Sequence, residues 1–110
     1  MAEAPPPGGL IETIRNLASP EVAEHWQGLR RACEEAGPLE PKYQYLIRLS
    51  GLSIVRFQDA FKAQCRFALD AGATPDEIRQ AVLLTLGSTA GMSPMLDALR
   101  WANEVIASRG

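Results

Sequence analysis

The stretch F-Q-D-A-F-K-A-Q-C-R-F-A-L-D-A-G-A-T-P-D-E, residues 57–77, leaves this chain few folds to choose from. It spells a helix, a stop and the start of a second helix. Phe57, Ala60, Phe61, Cys65, Ala68 and Leu69 recur at helical spacing and form one apolar stripe. Gly72 stands where a left-handed residue ends a helix, because it has no Cβ to clash there. Thr74 then serves as an N-cap, with Pro75 in the first turn and Glu77 three places on, which is a capping box. Gln64 breaks the pattern, since its amide falls on the face that the stripe buries.

The rest of the chain repeats the helical theme. Met1–Gly9, rich in Pro and Gly, is expected to be a disordered tail, and residues 10–110 a single helical domain. Leu10–Ala18 has Leu10, Ile11, Ile14 and Leu17 on one face. Ser19 and Pro20 open a helix to about Ala36, closed by Gly37 and Pro38, with Val22, Trp26, Leu29 and Cys33 along one side. Pro41 begins another, with Leu46, Ile47, Leu49 and Leu52 inward and a bend expected between Ile54 and Phe57. Ile78 to Leu86 is apolar almost all round. A helix of that kind needs burial on every side, which so short a chain supplies most readily by meeting another copy of itself. Gly87–Gly91 is a small-residue turn, and Ser93 and Pro94 start a last helix with Leu96, Leu99, Val105 and Ile106 inward. The fold class is therefore all-α, with about six helices.

Composition narrows the function. The formal charge is −2, with both signs interspersed and no run of either. No nucleic-acid footprint and no polybasic membrane patch is present in such a sequence. No apolar run approaches the roughly 20 residues of a membrane span, so a soluble, cytoplasmic protein is expected. Cys33 and Cys65 are far apart, with no Cys-x-x-Cys, and His25 is the single histidine. Neither a metal site nor a cofactor is expected, nor a disulfide between the two.

Placed on these helices, L-E-P-K-Y-Q-Y-L-I-R-L, then a helix of about sixteen residues, then A-L-D-A-G-A-T-P-D-E-I and an apolar helix with a glycine turn resemble a known family. The pattern is similar to the carboxymuconolactone decarboxylase and alkylhydroperoxidase D-like superfamily, from about Pro20 to Ala107. The resemblance implies an all-α homo-oligomer, commonly a trimer or hexamer, with active sites near subunit interfaces. Its thiol peroxidases carry a Glu, then Cys-x-x-Cys at a helix start, then a His four residues after the second Cys. A helix N-terminus and a nearby base lower the first thiol's pKa, and the second thiol closes the disulfide. By this correspondence Tyr45 stands at the Glu position, Phe57 and Ala60 at the cysteines, Gln64 at the His, and Asp59 at a relay position between the cysteines. The decarboxylase branch keeps the His without the cysteines, and Gln64 departs from that branch too.

Each candidate residue has a plain reading beside the functional one. Gln64 is a core amide tied to one neighbour, or a ligand contact. Asp59 is a dipole-favoured surface carboxylate, or an acid–base group. Cys65 is a buried thiol, or a lone nucleophile. Arg56 is a surface charge, or an attractor of anions at the mouth of a pocket lined by Tyr45, Arg56, Phe57, Asp59 and Gln64. Three functions follow: a non-catalytic or small-molecule-binding homo-oligomer; a decarboxylase- or isomerase-type enzyme using Asp59; and a thiol peroxidase or redox partner using Cys65. Because a buried amide needs a partner, the Tyr45 hydroxyl is expected to hydrogen-bond Gln64 directly or through one water.

Overall fold

The computed structural model describes residues 7–109, with side chains from residue 11 onward. Six α-helices follow one another: α1 (Pro7–Leu17), α2 (Pro20–Glu35), α3 (Pro41–Val55), α4 (Gln58–Asp70), α5 (Pro75–Leu83) and α6 (Met92–Arg109). Among the described residues there is no strand, only an isolated bridge between Leu86 and Ala90. Four helices open on a proline, whose preset φ and missing N–H suit a first turn. Pro7 explains why α1 takes in three residues of the expected tail; residues 1–6 of that tail lie outside the described residues.

Contacts divide the chain between Pro38 and Leu39 into two compact units. In the first, α1 packs on α2, and the Ser19 side chain caps α2 by accepting from the Val22 N–H at 3.1 Å. Here the expected stripe is corrected. Ala23 is buried, whereas Val22, Trp26, Leu29 and Cys33 are exposed. A two-helix unit offers α2 only one neighbour, and the small Ala23 gives the close approach.

The second unit holds the core: Leu49, Phe61, Cys65, Ala68, Ala73, Ile78, Val82, Met95, Ala98, Ala102 and Val105. The α4 stripe packs as its spacing predicts, except at Phe57, which is 61% exposed because it caps α4 instead of entering it. The α4 stop is a full Schellman motif. Gly72 has φ 99°, the Gly72 N–H donates to Leu69 O at 3.1 Å, and the Ala73 N–H donates to Ala68 O at 2.9 Å. Thr74 and Glu77 form the capping box in both directions, at 2.8 and 3.1 Å.

Three expectations change in this unit. Ile47 lies outward on α3, since Leu49 and Ser53 take the buried face. Helix α5 stops at Leu83, not Leu86, because Thr85 turns the chain. Its hydroxyl donates to Val82 O at 2.7 Å, and its carbonyl accepts from Ser88, Thr89 and Ala90. Ile78 and Val82 are thus buried while Leu83, Leu84 and Leu86 face out. Helix α6 begins at Met92 and buries Met95, Ala98, Ala102 and Val105, leaving Leu96 exposed. The two alanines let α6 approach α4 and α5 closely, so the small residues fix its rotation.

Candidate functional site

The residues that the resemblance singles out lie on α3, α4 and the turn between them. Arg56 makes that turn. It is the only non-glycine residue among those described with a left-handed backbone, φ 62°, and its N–H closes α3 on Leu52 O. A side chain in that region is strained by about 1 kcal/mol. Its guanidinium binds the Asp97 carboxylate of α6, which also accepts from Arg100 at 2.9 Å. Arg56 therefore points to an internal carboxylate rather than standing as an unpaired charge at a pocket mouth. Asp59 lies exposed in the first turn of α4, where the helix dipole favours a carboxylate.

Folding α3 and α4 back on each other at Arg56–Phe57 sets Tyr45 level with Phe67 and Ala68. It sets Gln64 level with Leu49, about one helical turn or roughly 5–6 Å away along the axis. The side chains obey this register. The Tyr45 ring packs against Phe67, with centroids 5.5 Å apart and planes tilted by 36°. Gln64 is 7% exposed, and its Oε1 is buried without a hydrogen-bond partner among the described residues. The expected Tyr45–Gln64 bond to that oxygen is not formed, because the two residues occupy successive turns.

Cys65, next to Gln64, is fully buried, and burial pushes its thiol up to about 12, against a weaker opposing pull from Arg66 and Lys62. At neutral pH the thiol therefore stays protonated, and the thiolate is the form that attacks peroxide. Cys33 is exposed, and both cysteines are free.

Of the candidate pocket residues, only Tyr45 lines the open cleft of about 380 Å³ at the start of α3 and the end of α4, with Glu40, Pro41, Lys42, Phe67, Asp70 and Ala71. Lys42 is drawn to Glu77 on α5, Nζ to Oε2 3.2 Å, and this bond holds its ammonium above its usual range. The Glu77 carboxyl is held below its usual range, first by the Thr74 N–H and then by Lys42. Asp70 binds Arg109 near the end of α6. Glu40, Lys42, Phe67 and Asp70 were not singled out from sequence. The hairpin register carried the signal for Phe67; the charged rim depends on helix contacts that no spacing within one helix reveals.

No group of three or more potential metal ligands gathers among the described residues, and no helix among them is long and apolar enough to cross a membrane. The sequence profile of the carboxymuconolactone decarboxylase family matches residues 20–104. Searches of curated proteins and of solved structures return no match.

Proposed function

Since the chain belongs to the carboxymuconolactone decarboxylase family, we propose that it is a cytoplasmic homo-oligomer that keeps the family's helical scaffold without thiol peroxidase chemistry, and that it binds a small molecule without turning it over. Gln64 carries this reading. It stands at the position that the resemblance assigns to the family's His, and its amide oxygen is enclosed and unpartnered. An amide neither gains nor loses a proton near pH 7, so it offers no acid–base step. Phe57 and Ala60 supply no thiol at the cysteine positions, and the Cys65 thiol is held protonated. Two unpaired cysteines suit a reducing compartment.

The cleft beside Tyr45 and Phe67 is where binding is proposed. Its volume falls at the lower end of the roughly 300–1,000 Å³ of small-molecule sites. The paired rings, tilted by 36°, offer an apolar wall, and Glu40, Lys42 and Asp70 form a rim of both signs. A small aromatic molecule with a polar substituent fits that description.

The test combines turnover and binding. With hydrogen peroxide and dithiothreitol, or with carboxymuconolactone, the purified protein is expected to give rates no higher than a protein-free blank. Titration with p-cresol is expected to shift amide NMR signals in residues 40–46 and 66–71 and few others. Peroxide turnover lost in Cys65→Ser, or decarboxylation lost in Asp59→Asn, would replace this reading with an enzymatic one. Absence of p-cresol shifts at the cleft would remove the binding site.

A further inference from the structure

The cleft beside Tyr45 and Phe67 has a direction. Helices α3 and α4 fold back on each other, and the two rings meet across them with centroids 5.5 Å apart. Glu40 precedes Tyr45 as the N-cap of α3, and Asp70 follows Phe67 as the last residue of α4. Since the helices run antiparallel, both carboxylates fall at the same end of the cleft. At about 1.5 Å per residue, their Cα atoms stand roughly 4–8 Å beyond the rings along the axis. The lining is an aromatic wall that leads to an acidic end.

The charges at that end do not cancel. Glu40, Lys42 and Asp70 are the charged residues of the lining. Lys42 Nζ binds Glu77 Oε2 at 3.2 Å and lies 5.0 Å from the centre of the Tyr43 ring, so its charge is already met on two sides. Arg109 binds Asp70 through Oδ1 and leaves Oδ2 open. Glu40 makes no side-chain cap hydrogen bond and, among the described residues, no ion pair. With the pairing groups included, three carboxylates stand against two cations, and the unmatched one is Glu40. Arg48 and Arg66, each about one turn from a lining residue, do not line the cleft.

Resting on the reading of this cleft as a small-molecule site, we propose that its ligand is an aromatic amine. It binds as the ammonium ion, with its ring on Tyr45 and Phe67 and its charge between Glu40 and Asp70. Two aromatic rings favour a third by burial and by edge or offset stacking, and their faces attract a cation. An arm of two carbons carries the charge from the wall to the acidic end. The ammonium has three N–H donors, and the Glu40 carboxylate and Asp70 Oδ2 accept. A carboxylate in the same place would meet two like charges, and Lys42 is already held by Glu77. Glu40 is exposed, so solvent screens its pull and the selectivity is modest, about tenfold.

The test is NMR titration of the full chain at pH 7 and low ionic strength with p-cresol, tyramine, tyrosol and 4-hydroxyphenylacetate. The last three share a ring and an arm of similar length and end in an ammonium, a hydroxyl and a carboxylate. Tyramine is expected to shift the amides of residues 40–46 and 66–71 with a dissociation constant about tenfold below that of tyrosol, and 4-hydroxyphenylacetate should bind weakest. Raising ionic strength from about 0.01 M to about 1 M should shrink the advantage of tyramine. In Glu40→Gln, which removes no cap hydrogen bond, that advantage should fall to about threefold. Equal affinities for tyramine and tyrosol, or tightest binding of 4-hydroxyphenylacetate, would overturn the amine while leaving the cleft as a binding site. Tyramine shifts centred outside residues 40–46 and 66–71 would overturn it as well. A tyramine advantage undiminished in Glu40→Gln would overturn the placing of the charge. If no ligand of the four, p-cresol included, shifts these amides, the binding site itself falls and the amine with it.

Discussion

At the scale of single residues, Gln64 is the most consequential side chain in the core. Its neighbours Phe61, Cys65 and Ala68 are fully buried and make it a polar island on an apolar face. An amide oxygen taken from water without a replacement bond costs about 1–3 kcal/mol. Methionine has a similar shape and volume and no such group, so Gln64→Met is expected to stabilise the protein by about 1–3 kcal/mol. At about 4–8 °C per kcal/mol for a domain of this size, thermal melting would resolve the gain. Since Tyr45 packs on Phe67 and gives Gln64 Oε1 no hydrogen bond, Tyr45→Phe should add nothing to that gain when combined with it. A destabilised Gln64→Met, or strong coupling to Tyr45→Phe, would mean that the amide has a partner after all. The burial of Gln64 was legible from helical spacing alone. The missing partner of its oxygen was not, because spacing within α4 says which face a residue occupies and nothing about the level of the residue opposite. Cys65 was legible for the same reason, as a thiol on a core stripe.

At the scale of elements, chain punctuation was read more accurately than helix rotation. Gly72, Thr74, Pro75 and Glu77 act through backbone bonds to residues a few places away, so the α4 stop and the α5 start could be read directly. The rotation of α2 and α6 depends on which neighbours exist and how closely they approach. There the small residues Ala23, Ala98 and Ala102 prevailed over the larger apolar ones. The α5 cap makes a quantitative prediction. Thr74→Ala should cost about 1 kcal/mol in denaturant unfolding at pH 7. The Glu77 carboxyl has a lowered pKa when folded, so it binds its proton more readily in the unfolded chain. Its contribution is therefore fully present above the unfolded value of 4.5 and is lost as pH falls from there through the lower folded value. Lys42 works in the opposite sense: its raised folded value makes its contribution present below 10.5 and lost as pH rises through the folded value. In Glu77→Gln the acid-side loss should be smaller than in wild type, and Lys42 should lose its alkaline effect. Parallel stability–pH curves for the two proteins would show that the cap contributes no linkage.

At the scale of the whole molecule, the family and the helical class follow from residues 20–104, yet the match leaves open how firmly each part of the chain is held. The two units differ in how much they bury. The first has Ala23 as its one fully buried side chain among those described, whereas the second centres on eleven buried residues from Leu49 to Val105. The sequence did not disclose this contrast, because α2 carries as regular an apolar stripe as α4. The stripe of α4 is enclosed by neighbours within its unit; that of α2, at Val22, Trp26 and Leu29, is exposed. Amide hydrogen exchange is governed by the free energy of the smallest opening that exposes the bond, and that energy rises with buried apolar contact. Exchange on the full chain should therefore fall into two classes. Amides within α2 are expected to exchange at least about 100-fold faster than those near Cys65 and Ala102, a difference of about 2.7 kcal/mol in opening free energy. The α4 and α6 amides should slow in proportion to global stability when Gln64→Met is introduced, while those of α2 should not change. If α2 exchanged as slowly as α4 and responded equally to Gln64→Met, the two units would open as one cooperative body. The stripe of Val22, Trp26 and Leu29 would then have to be covered in solution.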